Sequence, residues 1–163
     1  MNYAHAHLVL NHIPVIGIAL SFLLLVYGIL QRKDDLTKAA LAGFVFMALV
    51  AVPAYLTGEP AEKVVKGHPG VASAAIEVHE DAAGIAMAGM ELLGIVALAV
   101  LLFCRRRPVP VRVGFSTLVL ALMLTGVMAW TANLGGKIHH TELTGTASAI
   151  PSGQPAHESE HED

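Results

Sequence analysis

A single cysteine, Cys104, stands in the 163 residues, which excludes an intrachain disulfide and leaves it as a packing residue. Charge is scarce: Asp, Glu, Lys and Arg make up 14% of the chain against 55% hydrophobic residues, too apolar a balance for an ordinary soluble fold of this length. There is no glycine-rich phosphate loop, no HExxH, no CxxCH haem-attachment motif and no internal repeat. Any chemistry must therefore come from dispersed side chains. The net charge of −3, with basic residues mostly beside the apolar runs, argues against a nucleic-acid partner.

Long apolar runs are what the chain does have. Four of them, about 8–30, 38–57, 81–104 and 113–133, can cross a bilayer, which takes roughly 20 residues at 1.5 Å rise each. They are separated by "QRKDDLTK", "TGEPAEKVVKGHPG" and "RRRPVPVR", segments rich in charge, Pro or Gly. A third helix starting after "HPG" extends over about 71–104. The expected fold is an all-α membrane protein: an antiparallel four-transmembrane-helix bundle within residues 1–143, in contact with membrane lipid and open to oligomerisation. From Thr144 the small, polar, acidic sequence predicts a disordered tail over 144–163.

Basic residues orient the bundle, because Lys and Arg near helix ends stay on the cytoplasmic side. Arg32, Lys33 and Lys38 lie in the first break and Arg105, Arg106, Arg107 and Arg112 in the third, whereas Lys63, Lys66 and Lys137 lie elsewhere. Both termini and the 58–80 loop are expected on the extracytoplasmic side of a bacterial inner membrane. The first helix has no basic segment before it and runs into "QRKDD" without a small-residue cleavage site, so it is expected to remain as an anchor.

This topology puts all nine histidines on one side. His5, His7 and His12 open the first helix; His68 and His79 lie in the second break and at the start of the third helix. His139 and His140 follow the fourth helix, and His157 and His161 are in the tail. Glu59, Glu62, Glu77, Glu80, Asp81 and Glu142 join them, while Asp34 and Asp35 are the acids of the inner loops. A lone histidine at a helix end is commonly just an interfacial polar group, and His5, His68, His157 and His161 need no other explanation.

Helical phase sharpens the rest. Ile76, His79, Ala83, Ala86 and Met90 follow the three-and-four spacing of an inward stripe, with Glu77 and Glu80 on a neighbouring face. His7 and His12 are five residues apart and diverge by about 140° around a helix, so they do not serve one small ion. Gly135 and Gly136 predict a helix stop after which His139 or His140 folds back over the bundle mouth. Trp130 fits an interfacial anchor.

Glu91 is a further anomaly. It lies in "AMAGMELLGIV", close to mid-bilayer, and is expected to be protonated or hydrogen-bonded to Thr125 or Ser21. Proton handling and helix–helix bonding are both open to it. The small residues Ala82, Ala83, Gly84, Ala86, Ala88 and Gly89 allow either close helix packing or space for a flat macrocycle beside His79.

The segments "HLVLNHIPVIG", "YLTGEPAE", "IEVHEDAA" and "LGGKIHHTEL" resemble an uncharacterised group of small bacterial four-helix membrane proteins. That group is similar to a domain of unknown function sometimes joined to Rieske or c-type cytochrome modules, and the resemblance covers roughly residues 5–142. It implies respiratory electron transfer and points to His7, His12, His79 and His140.

Three readings follow. In the first, two imidazoles from different helices hold a b-type haem, His12 pairing with His79 and His7 with His140, and electrons pass to or from quinol or an extracytoplasmic cytochrome. In the second, a copper, zinc or iron ion is bound by His12, His79, His139, His140, Glu77 and Glu80, with Glu59 and Glu62 nearby. In the third, the protein is a cofactor-free assembly subunit of a respiratory complex, docking through its small-residue helix.

Overall fold

The computed structural model describes residues 3–66, 71 and 73–139. The described chain is helical: α1 (Tyr3–Leu30), α2 (Asp34–Leu56), α3 (Gly58–Val65), α4 (Ser73–Phe103) and α5 (Val111–His139). Four helical stretches, with α2 and α3 counted as one, are long and apolar enough to cross a membrane. The acidic tail expected over 144–163 lies outside the described residues.

Three boundaries differ from the sequence expectation. Helix α1 starts at Tyr3 rather than near residue 8, because "YAHAHLV" holds no Gly or Pro to stop it, so His5 and His7 are helical. The region after α2 is not all loop. After the junction at Thr57 the chain re-enters a helix, α3, along which Glu59 pairs with Lys63 at 2.7 Å and Glu62 with Lys66 at 3.0 Å. Pro60 is tolerated there because the first turn of a helix has no intrahelical use for its N–H. The stop expected at Gly135 and Gly136 does not occur: α5 runs through both to His139.

Helix α1 ends in a Schellman turn. Lys33 N–H donates to Gly28 O at 2.9 Å and Arg32 N–H to Ile29 O at 3.1 Å, with Arg32 in the left-handed region at φ 53°. Two residues later α2 begins, and Gly28 brings the helices together there: a Cβ on it would meet the Thr37 backbone nitrogen at 2.8 Å. Further along, Gly17 faces Met47 and Gly43 faces Ser21, so numbers rise on α1 as they fall on α2. The same opposed register joins α2 to α4, through Tyr55 with Gly84 and Ala48 with Gly94. It also joins α4 to α5, through Ala82 with Thr131 and Gly89 with Leu124.

The long helices form a ring in which α1 packs on α2 and α5, and α4 also packs on α2 and α5. Helices α1 and α4 therefore lie diagonally, and α3 rests mainly on α1. The centre is filled by Ile18, Leu25, Leu41, Phe44, Met90 and Leu93, all fully buried. Between helices the contacts are small, with Ala40, Ala48, Ala51, Ala54, Ala82, Ala86, Ala97 and Ala121 buried. Small residues of this kind let helices approach closely when apolar surroundings remove the hydrophobic drive to associate. Large apolar residues cover the outside instead: Leu20, Leu49, Ile85, Ile95, Leu102 and Met123 are all more than half exposed. A protein that is apolar inside and out belongs in lipid.

One end of the ring is basic. Asp34 at the start of α2 accepts the Val109 N–H at 2.7 Å and pairs with Lys38 at 2.7 Å, and Lys38 donates to Arg107 O at 3.0 Å. The two arginine- and lysine-bearing turns are thereby tied together. Cys104 is buried beside them, in keeping with a packing role.

Candidate functional site at the histidine end

At the other end the chain gathers imidazoles and backbone carbonyls. His7, half-buried on α1, reaches the α2–α3 junction, where its Nδ1 lies 2.9 Å from Ala54 O and 3.2 Å from Thr57 Oγ1. Thr57 Oγ1 itself donates to Ala54 O at 2.8 Å. The junction residue Gly58 lies against the same ring, 3.6 Å from Cε1 if a Cβ is added.

His79, half-buried on α4, turns toward α5. Its Nδ1 lies 3.1 Å from Thr131 O, and Thr131 Oγ1 in turn donates to Ala82 O at 3.3 Å and to Val127 O at 3.0 Å. Ile76, Ala82, Ala86 and Met90 on the same helix are buried, so the inward stripe read from the sequence holds, with Ala82 more enclosed than Ala83.

A carbonyl oxygen can only accept, so each of these Nδ1 atoms carries a proton, and in the neutral ring Nε2 then keeps its lone pair. His12 is fixed the same way, by a 2.5 Å bond from Nδ1 to Leu8 O on its own helix, but its side chain is exposed. His7 on α1 and His79 on α4 are both half-buried toward this end of the bundle, whereas the angular divergence of His7 from His12 sends His12 outward.

The remaining sequence candidates spread out. Glu77 and Glu80 are exposed on α4, within electrostatic reach of Lys66, and Glu59 and Glu62 are engaged with lysines on α3. His139 closes α5; His140 lies outside the described residues, so the second expected pair, His7 with His140, is beyond what is described. Among the described residues no three of His, Cys, Asp and Glu gather as a metal-holding group.

Glu91 makes neither of its expected bonds. Its Oε1 is buried without a hydrogen-bond partner, while Thr125 Oγ1 donates to Ala121 O in its own helix at 2.7 Å and Ser21 packs on α2 at Gly43. Trp130 is exposed near the histidine end of α5, where an interfacial anchor would sit.

Ala54, Thr57 and Thr131 complete the site and were not singled out in the sequence, and Gly135, which also completes it, was read there only as a helix stop. Thr131 and Gly135 carried a usable signal, since an i, i+4 pair shares one helix face. Ala54 and Thr57 carried none, because they act through a backbone oxygen and a helix junction. No family model, no curated protein and no solved structure matches the chain.

Proposed function

We propose that the protein is a b-type cytochrome-like electron-transfer protein of a bacterial inner membrane. In this reading the bundle is antiparallel, both termini are extracytoplasmic, and a haem is held near the outer surface between His7 and His79. One observation carries it: toward one end of the bundle, two half-buried imidazoles on the diagonal helices α1 and α4 each have their Nδ1–H fixed on a backbone carbonyl of a neighbouring helix. That is the tautomer an iron ligand needs, because the bond to the carbonyl orients the ring and leaves Nε2 for the metal. Bundle cofactor sites are commonly built from side chains on facing helices. The haem would supply one-electron transfer, and quinol or an extracytoplasmic cytochrome would be the exchange partner. The respiratory setting follows from the resemblance of "HLVLNHIPVIG" and "IEVHEDAA" to small bacterial four-helix membrane proteins, a group similar to a domain sometimes joined to Rieske or c-type cytochrome modules.

A copper, zinc or iron ion would use the same two lone pairs. It ranks second because a small ion needs further ligands, and those would have to come from His139 or His140, whereas a haem iron needs only the two. The exposed positions of Glu77 and Glu80 weaken their case as ligands. Glu91 remains the candidate for moving protons, and its lack of a structural bond favours that role over helix bonding.

The test is a reduced-minus-oxidised absorption spectrum of the purified protein, produced with haem precursor supplied. Sharp alpha and Soret bands are expected, lost in His7→Ala and in His79→Ala and retained in His12→Ala. Full bands in an inserted His7→Ala/His79→Ala double variant overturn the assignment. A flat spectrum with one metal ion per chain supports the metal site, and a flat spectrum without metal supports an assembly subunit.

A further inference from the structure

Helices α4 and α5 meet closely toward the histidine end, at His79 with Thr131, Ala82 with Thr131 and Gly89 with Leu124. Between them lies an open groove of about 340 Å³, lined by Val96 of α4 and by Arg112, Val113, Ser116, Thr117 and Leu120 of α5.

The lining changes character with depth. Arg112 is exposed at the start of α5 and forms no ion pair among the described residues. One turn further in stand two hydroxyls, Ser116 and Thr117, and beyond them the walls are Leu120 and Val96. From Arg112 to Leu120 the helix rises about 12 Å. Over that length the groove passes from a cation to hydroxyls to aliphatic carbon. A membrane phospholipid presents its complement in the same order and over a similar length: phosphate, glycerol ester, acyl chain.

We infer that this groove binds one anionic phospholipid from the leaflet facing the two basic turns, with its phosphate on Arg112. A basic recess between membrane helices at that level is suited to such headgroups. The guanidinium can donate two parallel hydrogen bonds to phosphate. Ser116, exposed on the groove, now donates to Arg112 O at 3.0 Å, and its hydroxyl can rotate from that bond to an ester carbonyl, while Thr117, buried and donating to Val113 O at 3.0 Å, forms the floor. Arg105 and Arg106, exposed on the preceding turn and absent from the groove lining, add general attraction without forming the site. This assignment is independent of the haem reading, which concerns the opposite end.

The experiment is native mass spectrometry of the full chain released from detergent after exchange with phosphatidylglycerol or phosphatidylcholine of identical acyl chains. One phosphatidylglycerol per chain is expected to survive release, with preference over phosphatidylcholine. Arg112→Gln should lower that preference about fivefold, the weight of one interfacial charge. Leu120→Trp, which fills the groove and keeps every charge, should abolish the retained lipid, with helicity by circular dichroism confirming the fold. Arg105→Gln/Arg106→Gln should leave the single retained lipid in place.

Equal loss in that double variant, unchanged binding in Leu120→Trp, or no preference between the lipids overturns the inference. So does a lipid-independent dimer that Leu120→Trp dissociates, because a second copy of the chain then fills the groove. Retention of glycerol phosphate in place of the lipid would reduce the site to a phosphate contact and also overturns it.

Discussion

Gly135 lies so close to the imidazole of His79 that a Cβ there would sit 3.0 Å from Cε1, 3.4 Å from Nδ1 and 3.5 Å from Nε2. A helical side chain leans back over the preceding turn, so any residue other than glycine at 135 would cover the Thr131 carbonyl that His79 uses. The glycine continues the helix and leaves space for a ring. Its neighbour Gly136 has nothing within 4 Å of an added Cβ.

These two adjacent glycines should therefore respond differently. Gly136→Ala is expected to raise stability by up to about 1 kcal/mol, the helix-propensity gain. Gly135→Ala should gain less, because the ring must yield by a few tenths of an ångström, and Gly135→Leu should displace His79. Thermal unfolding in detergent checks the first two. Loss of the haem bands in Gly135→Leu checks the third, and equal behaviour of the two alanine variants would show that the ring is not held there.

The α2–α4 contact gives a second comparison. A Cβ on Gly94 would fall inside van der Waals contact with Ala48 Cβ, which sits directly on the backbone and cannot rotate away. Gly94→Ala should destabilise by about 1–3 kcal/mol, and Ala48→Gly in the same chain should restore much of it. Gly17→Ala meets only the flexible end of Met47 and should be tolerated better. Chemical unfolding midpoints of the three variants against the parent decide the matter.

Asp34 joins the two basic turns through Val109 and Lys38. Asp34→Ala should cost about 1 kcal/mol, partly screened by solvent, and free the 104–110 turn. Trypsin cleavage after Arg105, Arg106 or Arg107 should then quicken relative to the parent. An unchanged cleavage rate would show that the turn is held by its own geometry.

Glu91 keeps a buried oxygen with no hydrogen-bond partner among the described residues. Glu91→Leu should raise stability by on the order of 1 kcal/mol, since an unsatisfied buried polar atom is replaced by packing carbon. Any proton-coupled turnover should fall in the same variant, the pattern of a residue kept for function. A destabilised Glu91→Leu would instead identify a structural role.

Arg32 holds a left-handed conformation at the C-terminal turn of α1, at φ 53°. Arg32→Gly removes the steric conflict of its Cβ and should stabilise the turn by about 1 kcal/mol. Unfolding in detergent measures it. No gain would mean that the arginine side chain compensates locally.

The number and placement of the membrane-length helices were legible in the sequence because hydropathy acts over some 20 residues and does not depend on partners. The stripe through Ile76, His79, Ala86 and Met90 was legible too, since the helix repeat alone sets it. Helix ends were harder to read. Gly135 and Gly136 look like a stop in sequence, yet packing against α4 carries α5 through both, and one of them is there for a neighbour's ring. The α3 turn was hidden by the Pro, Gly and charge that mark a loop, although its lysine–glutamate spacing was in view.

The sequence by itself determined that imidazoles collect at one end of the chain's helices and arginines at the other, because each helix crossing reverses direction and fixes which end a residue reaches. It did not determine which imidazoles turn inward. That depends on how α1 rotates against α2 and how far α4 lies from α1, and a rotation of one residue, about 100°, exchanges an inward histidine for an outward one. The tertiary structure decided it by seating His7 on the Ala54 carbonyl and His79 on the Thr131 carbonyl. Those backbone acceptors belong to other helices, and no pattern within α1 or α4 encodes them.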